Sequence, residues 1–465
     1  MTPRLKRLVI VAAMLWAVAF IVIGLSFHVQ MYGDGSVFSY AVAVEDAWAI
    51  HWHNISGRLA VYLACFVPAE AYVALTSDPR GGIALYGGIH FAAPLLGLVA
   101  TYSADRSEGR VVFACACASM ASLCPLVFGA PTEMWAAQSL FWPTFAVCRD
   151  ERGGAGRAAL VVVLMLALAF THEGALLFEA FIVASLALRG ATDAAFRRIA
   201  GAACVVLPVW LAVKIALPPD AYTGAVMERA ALHVFDVTLL VNNVSILLPA
   251  ALAGYGLIVI LLGRMTAKAP LYATLAVAAA LGLCWLAFDR FLLTQGRYYL
   301  RTALLVGTLG FALLATLQTE PWPMRLQIIR RLMALDPRTA IGAFALVMLV
   351  HAVETAKFVT AWAGYTSALR ALAMSDLSDP ALGDPRFVSA ERIDPAVNRL
   401  SWNSTTPFLS ILLAPGFAPA RLVIDPTAGY FWLDCAAATD NEQADRAIPR
   451  DSRRLVRIEA CERRP

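Results

Sequence analysis

Apolar residues in this chain fall in long, nearly unbroken runs separated by short polar links. That is neither the strict alternation of a half-buried strand nor the one-sided stripe of a surface helix. The runs cover about 8–27, 58–76, 82–103, 111–129, 133–148, 158–172, 174–189, 199–217, 237–262, 271–288, 302–318 and 339–361. Several reach the ~20 residues that a helix needs to cross a bilayer, and others fall short. A run that is apolar on every face and sits in lipid must satisfy its own backbone, which a helix does. The pattern therefore predicts an all-α polytopic membrane protein of about 11–12 hydrophobic helices, some short or re-entrant.

The links set an expected topology. Arg4, Lys6 and Arg7 precede the first run, and no small-residue cleavage site follows it, so it reads as an anchor with the N-terminus cytoplasmic. The basic links 104–110, 149–157, 189–198, 263–268 and 324–338 then belong on the cytoplasmic side, and 218–236 and 289–301 on the other. Two consequences follow. The run 58–76 is expected to be shallow or re-entrant, because charge parity leaves no room for a full crossing. The segment 158–188 is expected to rise and return as two short helices meeting at the tip "THEG" (171–174).

After Trp362 the composition turns polar, rich in Pro and Asp. Residues 1–362 read as a transmembrane domain with a first outer loop at 28–57, and 363–465 as a small extracytoplasmic α+β domain. Within it, "FLSILLAPG" and "LVIDPTAGYFWLDC" read as short strands with turn punctuation.

Composition agrees with this picture. The 465 residues are 60% hydrophobic and 15% charged, against about 45–50% and 25% in soluble domains. A net charge of +4 spread over short links indicates topology, not nucleic-acid binding. Of the nine cysteines, most lie in apolar runs as small hydrophobes; Cys435 and Cys461 could pair if the tail is extracytoplasmic.

Candidate chemistry concentrates in the first outer loop and at a few helix ends. Asp34, between two glycines, reads either as a helix N-cap or as a carboxylate able to take a proton where the chain leaves the bilayer. Glu45 and Asp46 follow three helical turns later, about 16 Å away by helix rise, so they form no close dyad with Asp34. His51 and His53 would share a face only on an extended segment, and no third metal ligand stands near them. Arg58 heads an apolar run, suited either to a phosphate partner or to snorkelling. Glu133 starts another run, and His172 and Glu173 occupy the hairpin tip. Asp34, Arg58, Glu133, His172 and Glu173 thus converge on one expected face, where charges mark a substrate path or a paired network. Glu70, Glu179, Lys214, Glu354 and Lys357 read as candidates for buried ion pairs, and Arg297 and Arg301 as headgroup ligands or interfacial anchors.

An early outer-loop acid (Asp34), Trp52, Gly57–Arg58 before a helix, and the later hairpin "LALAFTHEGALL" with Glu173 resemble the GT-C superfamily of membrane glycosyltransferases. Among these, the chain is similar to bacterial glucosyltransferase-like members that decorate surface glycans. The resemblance covers residues 8 to about 190 and only loosely extends to 361. Members often carry a paired acid where this chain has Asp34 between Gly33 and Gly35. The resemblance implies a GT-C fold and an inverting hexosyltransferase on the outer face of a bacterial inner membrane, with the C-terminal domain periplasmic. It implies a polyprenyl-phosphate-linked sugar as donor and a glycan or lipid as acceptor. Asp34, Glu45, Asp46 and Glu173 are then the candidate catalytic acids. Arg58, His51, His53, Glu133, His172 and Arg297 are the candidate substrate ligands. No obligatory metal is expected, with a divalent cation left open. The principal rival is a transporter or flippase of a lipid-linked glycan or other solute, for which the chain lacks the matching halves such folds often show. A glycan polymerase or ligase and a non-catalytic subunit are further alternatives.

Overall fold

The computed structural model describes residues 2–43, 58–123, 133–216, 243–263, 265–287, 297–319, 336–375, 387–398, 400 and 405–424. The fold is all-α and polytopic, with thirteen apolar or partly apolar helices followed by a short α/β element among the described residues. The helices are α1 (Pro3–Ser26), α2 (Asp34–Ala43), α3 (Leu59–Thr76), α4 (Pro79–Ala104), α5 (Val111–Leu123), α6 (Glu133–Arg149) and α7 (Ala155–Ala169). They continue as α8 (Ala175–Ala187), α9 (Ala194–Ala216), α10 (Asn243–Gly263), α11 (Ala269–Ala287), α12 (Arg297–Thr319) and α13 (Pro337–Ala373). Eight of the described helices are long and apolar enough to cross a membrane, whereas α7 and α8 are the short pair expected on either side of "THEG". Helix α3 is continuous over 18 residues apart from a π turn at Tyr62–Phe66, and by length alone it could cross.

The chain divides into two compact units. The first comprises Met1–Ile21, Ser56–Val61 and Phe91–Ala356. Along α1, Val9, Ala13, Ala17 and Phe20 are buried, while Leu8, Val11, Leu15 and Val18 are exposed. A helix apolar on both its packed and its open face is one immersed in lipid. Helices α6–α9 pack as an antiparallel bundle, with α5 and α12 alongside. Its centre is aromatic: Phe141 lies 4.7 Å from Phe178 and stacks on Phe145 at 5.5 Å, and Trp135 and Trp142 are fully buried. Helices α4 and α6 meet backbone to backbone, because a Cβ added at Gly97 would stand 2.4 Å from the Ser139 carbonyl oxygen. Small residues let membrane helices approach this closely.

At one end of the bundle, arginines clasp the C-terminus of α6. The Asp150 carboxylate receives Arg152 at 2.5 Å and Arg157 at 2.7 Å. Arg157 also donates to the Val147 carbonyl, Arg189 to that of Arg149, and Arg198 to those of Cys148 and Asp150. These carbonyls are the ones a helix end leaves without intrahelical partners. The same basic links that set the expected orientation thus tie α7, α8 and α9 to the end of α6.

The second unit comprises Val22–Ile55, Tyr62–His90 and Lys357–Pro465. Here Tyr32 lies edge-on to both Phe358 and Trp362, and the Trp362 indole donates to the Phe27 carbonyl at 2.8 Å. Strands β1 (Phe387–Ser389) and β2 (Leu422–Ile424) pair in parallel, with Val388 opposite Val423. A parallel pair needs a crossover, and here it contains helix α14 (Thr406–Leu413), which packs on α2 through Phe408 and Tyr40. The stretch "FLSILL", expected to be a strand, is therefore helical. Pro407 sits in its first turn, where proline favours helix, and its Leu and Phe residues are unbranched at Cβ. Only Leu422–Ile424 of the second expected strand segment lies within the described residues, and there it is a strand. Helix α13 runs on to Ala373, eleven residues beyond the composition break at Trp362.

Two outcomes are expected. Gly97→Val forces α4 and α6 apart and lowers thermal stability in detergent by about 1–3 kcal/mol or more, whereas Gly88→Ala, with nothing within 4 Å of an added Cβ, has little effect. Asp150→Asn removes the charge that gathers Arg152 and Arg157 and destabilises by about 1.5–3 kcal/mol. Unfolding of the purified variants, followed by tryptophan fluorescence, checks both.

Candidate functional site

At the end of the bundle away from the arginine clasp, four charged side chains from four elements meet. Helix α6 separates the two ends by 17 residues, about 25 Å of helix rise. Arg58 lies at the head of α3, fixed to the bundle by the Ala60 N–H donating to the Phe170 carbonyl at 3.0 Å. Its Nη1 donates to Glu133 Oε1 at 2.8 Å, and its Nε lies 3.9 Å from Glu173 Oε2. Lys214, near the C-terminus of α9, donates to Glu173 Oε1 at 3.0 Å, with its Nζ 5.7 Å from the centre of the Trp210 ring one turn earlier.

Local structure explains each position. Glu133 opens α6, where a carboxylate is favoured by the helix dipole, and Lys214 closes α9, where a cation is favoured. The tip between α7 and α8 is held by the Gly174 N–H, which donates to His172 Nδ1 at 3.0 Å. A neutral His172 therefore carries its proton on Nε2. A Cβ at Gly174 would sit 3.3 Å from that Nδ1 and from Met134 Cε, so the tip has little room to spare.

The four side chains are 10–24% exposed, partly desolvated but still reachable. Burial alone would push the Glu173 carboxyl up. Arg58, His172 and Lys214 more than reverse this and hold it at about 2. Glu173 is therefore ionised throughout the physiological range and weakly basic. Among the described residues, two cations here face two carboxylates, and another anion could take the place of either carboxylate.

Arg58, Glu133, His172 and Glu173, expected with Asp34 to converge on one face, are thus brought together. Lys214 joins them as the second cation; the sequence marked it only as a candidate for a buried ion pair. Asp34 belongs to the second unit, as the first residue of α2, preceded by Gly33 at φ +59°. Glu45, Asp46, His51 and His53 lie outside the described residues, as does the side chain of Arg297, whose backbone opens α12. Among the described residues, no three His, Cys, Asp or Glu side chains are grouped to hold a metal ion. A cleft of about 720 Å³ lies at the arginine-clasp end, lined in part by Asp105, Ser107, Arg149, Asp150 and Thr319. Its carboxylates Asp105 and Asp150 serve local structure: Asp105 accepts from the backbone of Ser107 and Phe113, and Asp150 from the arginines.

Compared with known proteins, the chain matches no family model, no curated protein and no solved structure.

A pH dependence follows from Glu173. Its carboxyl sits lower in the folded protein than the ordinary value near 4.5, so its contribution to stability is complete above that value and is lost as pH falls towards about 2. Glu173→Gln is expected to lower stability by about 2 kcal/mol at pH 7. The gap to wild type should narrow steadily below pH ~4.5; thermal unfolding of both proteins across pH 3–7 measures it.

Proposed function

We propose that the protein is a GT-C-type glycosyltransferase. In this reading it moves a sugar from a polyprenyl-phosphate donor to a glycan or lipid acceptor on the outer face of a bacterial inner membrane, with residues 363–465 periplasmic. The observation that carries the reading is the Arg58–Glu133–Glu173–Lys214 cluster at one end of a lipid-immersed bundle. The opposite end holds the basic links 149–157 and 189–198, which fits the positive-inside rule if the cluster faces outward.

The donor has an apolar tail and a phosphate that must leave. An acceptor hydroxyl oxygen attacks the anomeric carbon, the bond from that carbon to the phosphate oxygen breaks, and the phosphate departs with the electron pair. Arg58 and Lys214 are suited to neutralise it, as fixed cations in a partly desolvated site do most effectively. A carboxylate takes the hydroxyl proton. Asp34 is the acid that the family resemblance puts forward for this role, and Glu173, at about 2, is too weak a base while both cations hold it. The GT-C resemblance and the cluster share Arg58 and Glu173, and the geometry adds Glu133 and Lys214 to them.

The test is genetic and chemical. Deleting the gene should remove a sugar-sized mass from surface or lipid-linked glycans, and wild type should restore it. At matched membrane levels, Arg58→Gln should restore less than about 1% of the modification if it loses a bound ion pair worth ~3 kcal/mol in the transition state. Asp34→Asn should fail as well. Unchanged glycans in a strain that makes the protein would remove the transferase reading and put solute transport first.

A further inference from the structure

The two oxygens of Glu173 face two cations carried by different helices. Oε1 lies 3.0 Å from Lys214 Nζ, and Oε2 lies 3.9 Å from Arg58 Nε. A carboxylate bridging an arginine and a lysine in this way occupies the place a phosphate takes when it is held by the same pair of groups. We propose that Glu173 is a built-in placeholder for a phosphate monoester or diester. The incoming phosphate binds between Arg58 and Lys214 by displacing the Glu173 carboxylate. The identity of that phosphate as the donor headgroup rests on the function proposed above; the displacement itself does not.

Several features of the geometry support an exchange rather than a permanent lock. Glu173 sits on a short turn between α7 and α8, at a tip and not within a helix. Its side chain is the most exposed of the four, at 24%, so it is the member that can move aside. Arg58 keeps a second anchor: its bond to Glu133 at 2.8 Å holds the guanidinium in place after Glu173 leaves. The contact given up on that side is the long one, at 3.9 Å. Lys214 stands against Trp210, which keeps the ammonium near the same place.

A placeholder leaves a distinctive signature. It makes the empty site stable and the bound state harder to reach, since apparent affinity falls with the fraction of molecules that are open. Removing it should therefore strengthen binding, the reverse of what happens on removing an ordinary ligand residue. In full-length protein in detergent, Glu173→Gln is expected to bind a short-chain polyprenyl phosphate about tenfold more tightly than wild type. Lys214→Met and Arg58→Gln are expected to bind at least about tenfold more weakly. Equal or weaker binding by Glu173→Gln overturns the proposal, as does unchanged binding by both cation variants.

Should Glu173→Gln fail to fold, Glu173→Asp decides instead. It keeps the charge but draws the carboxylate back by one methylene, and binding no tighter than wild type overturns the proposal. Inorganic phosphate and phosphatidylglycerol, run as parallel probes, separate the sources. Tightening towards inorganic phosphate supports a site that reads the phosphate alone. Tightening only towards a lipid phosphate supports a headgroup with its tail. Tightening towards none of the probes counts against the exchange. The glycan comparison is read separately: unchanged glycans with tightened binding leave the placeholder standing without the transferase, and lost glycans with unaltered binding do the opposite.

Discussion

Glu173 receives Lys214 and lies beside Arg58, which in turn donates to Glu133, so one chain of charges joins α3, α6, the α7–α8 turn and α9. Each of these groups is partly withdrawn from water, where an unmatched charge is expensive and a matched one is held tightly. The apolar body of the bundle relies mainly on packing, for which lipid tails compete with Leu and Val, although the Gln138 amide donates to Ser119 Oγ at 2.9 Å within it. Registration of the helices therefore depends on three things. These are the charge network at this end, the arginine clasp around Asp150 at the other, and close approaches such as Gly97 on Ser139.

The two ends use charge differently. Around Asp150 the arginines outnumber the acids, and Arg157, Arg189 and Arg198 turn to backbone carbonyls at the end of α6. At Glu173 the cations face carboxylates instead. A carbonyl at a helix end cannot be displaced without unwinding the helix. A carboxylate on a turn can be displaced by another anion. That difference, rather than the number of charges, makes one end a structural clasp and the other a candidate site. A cleft lies at the clasp end, yet its Asp105 and Asp150 are already committed to backbone and arginine donors.

Much of this architecture was legible in the sequence because lipid removes alternatives. An apolar run near 20 residues has only a helix to become, and the runs 82–103 and 133–148 correspond closely to Pro79–Ala104 and Glu133–Arg149. The short pair around "THEG" was legible for the same reason. In the polar tail that constraint lapses. "FLSILL" is equally compatible with a buried strand and a short helix by periodicity, and a proline in its first turn decided for helix. In the site, Arg58, Glu133 and Glu173 could be picked out singly as charges at the ends of apolar runs. That Lys214 completes them was not readable, since it pairs across 41 residues and no local spacing encodes such a contact. The arginines of 149–157 and 189–198 were read for topology alone, because nothing in their pattern reveals which carbonyls they reach.

A single carboxylate cannot serve two masters at once. While Glu173 neutralises Lys214 and lies beside Arg58, its proton affinity is too low for it to take a proton from a hydroxyl near neutral pH. Were those cations drawn to a phosphate, Glu173 would lose the charges that hold its carboxyl low and its proton affinity would rise. Any base chemistry by Glu173 must therefore follow anion binding and cannot precede it. A reaction that needs its base before the phosphate is seated has to take it from elsewhere in the chain, and Asp34, at the start of α2, is the acid for which the family resemblance gives a reason. The order of binding and proton transfer thus sets the limit on Glu173 on physical grounds, since its base chemistry is gated by the ligand.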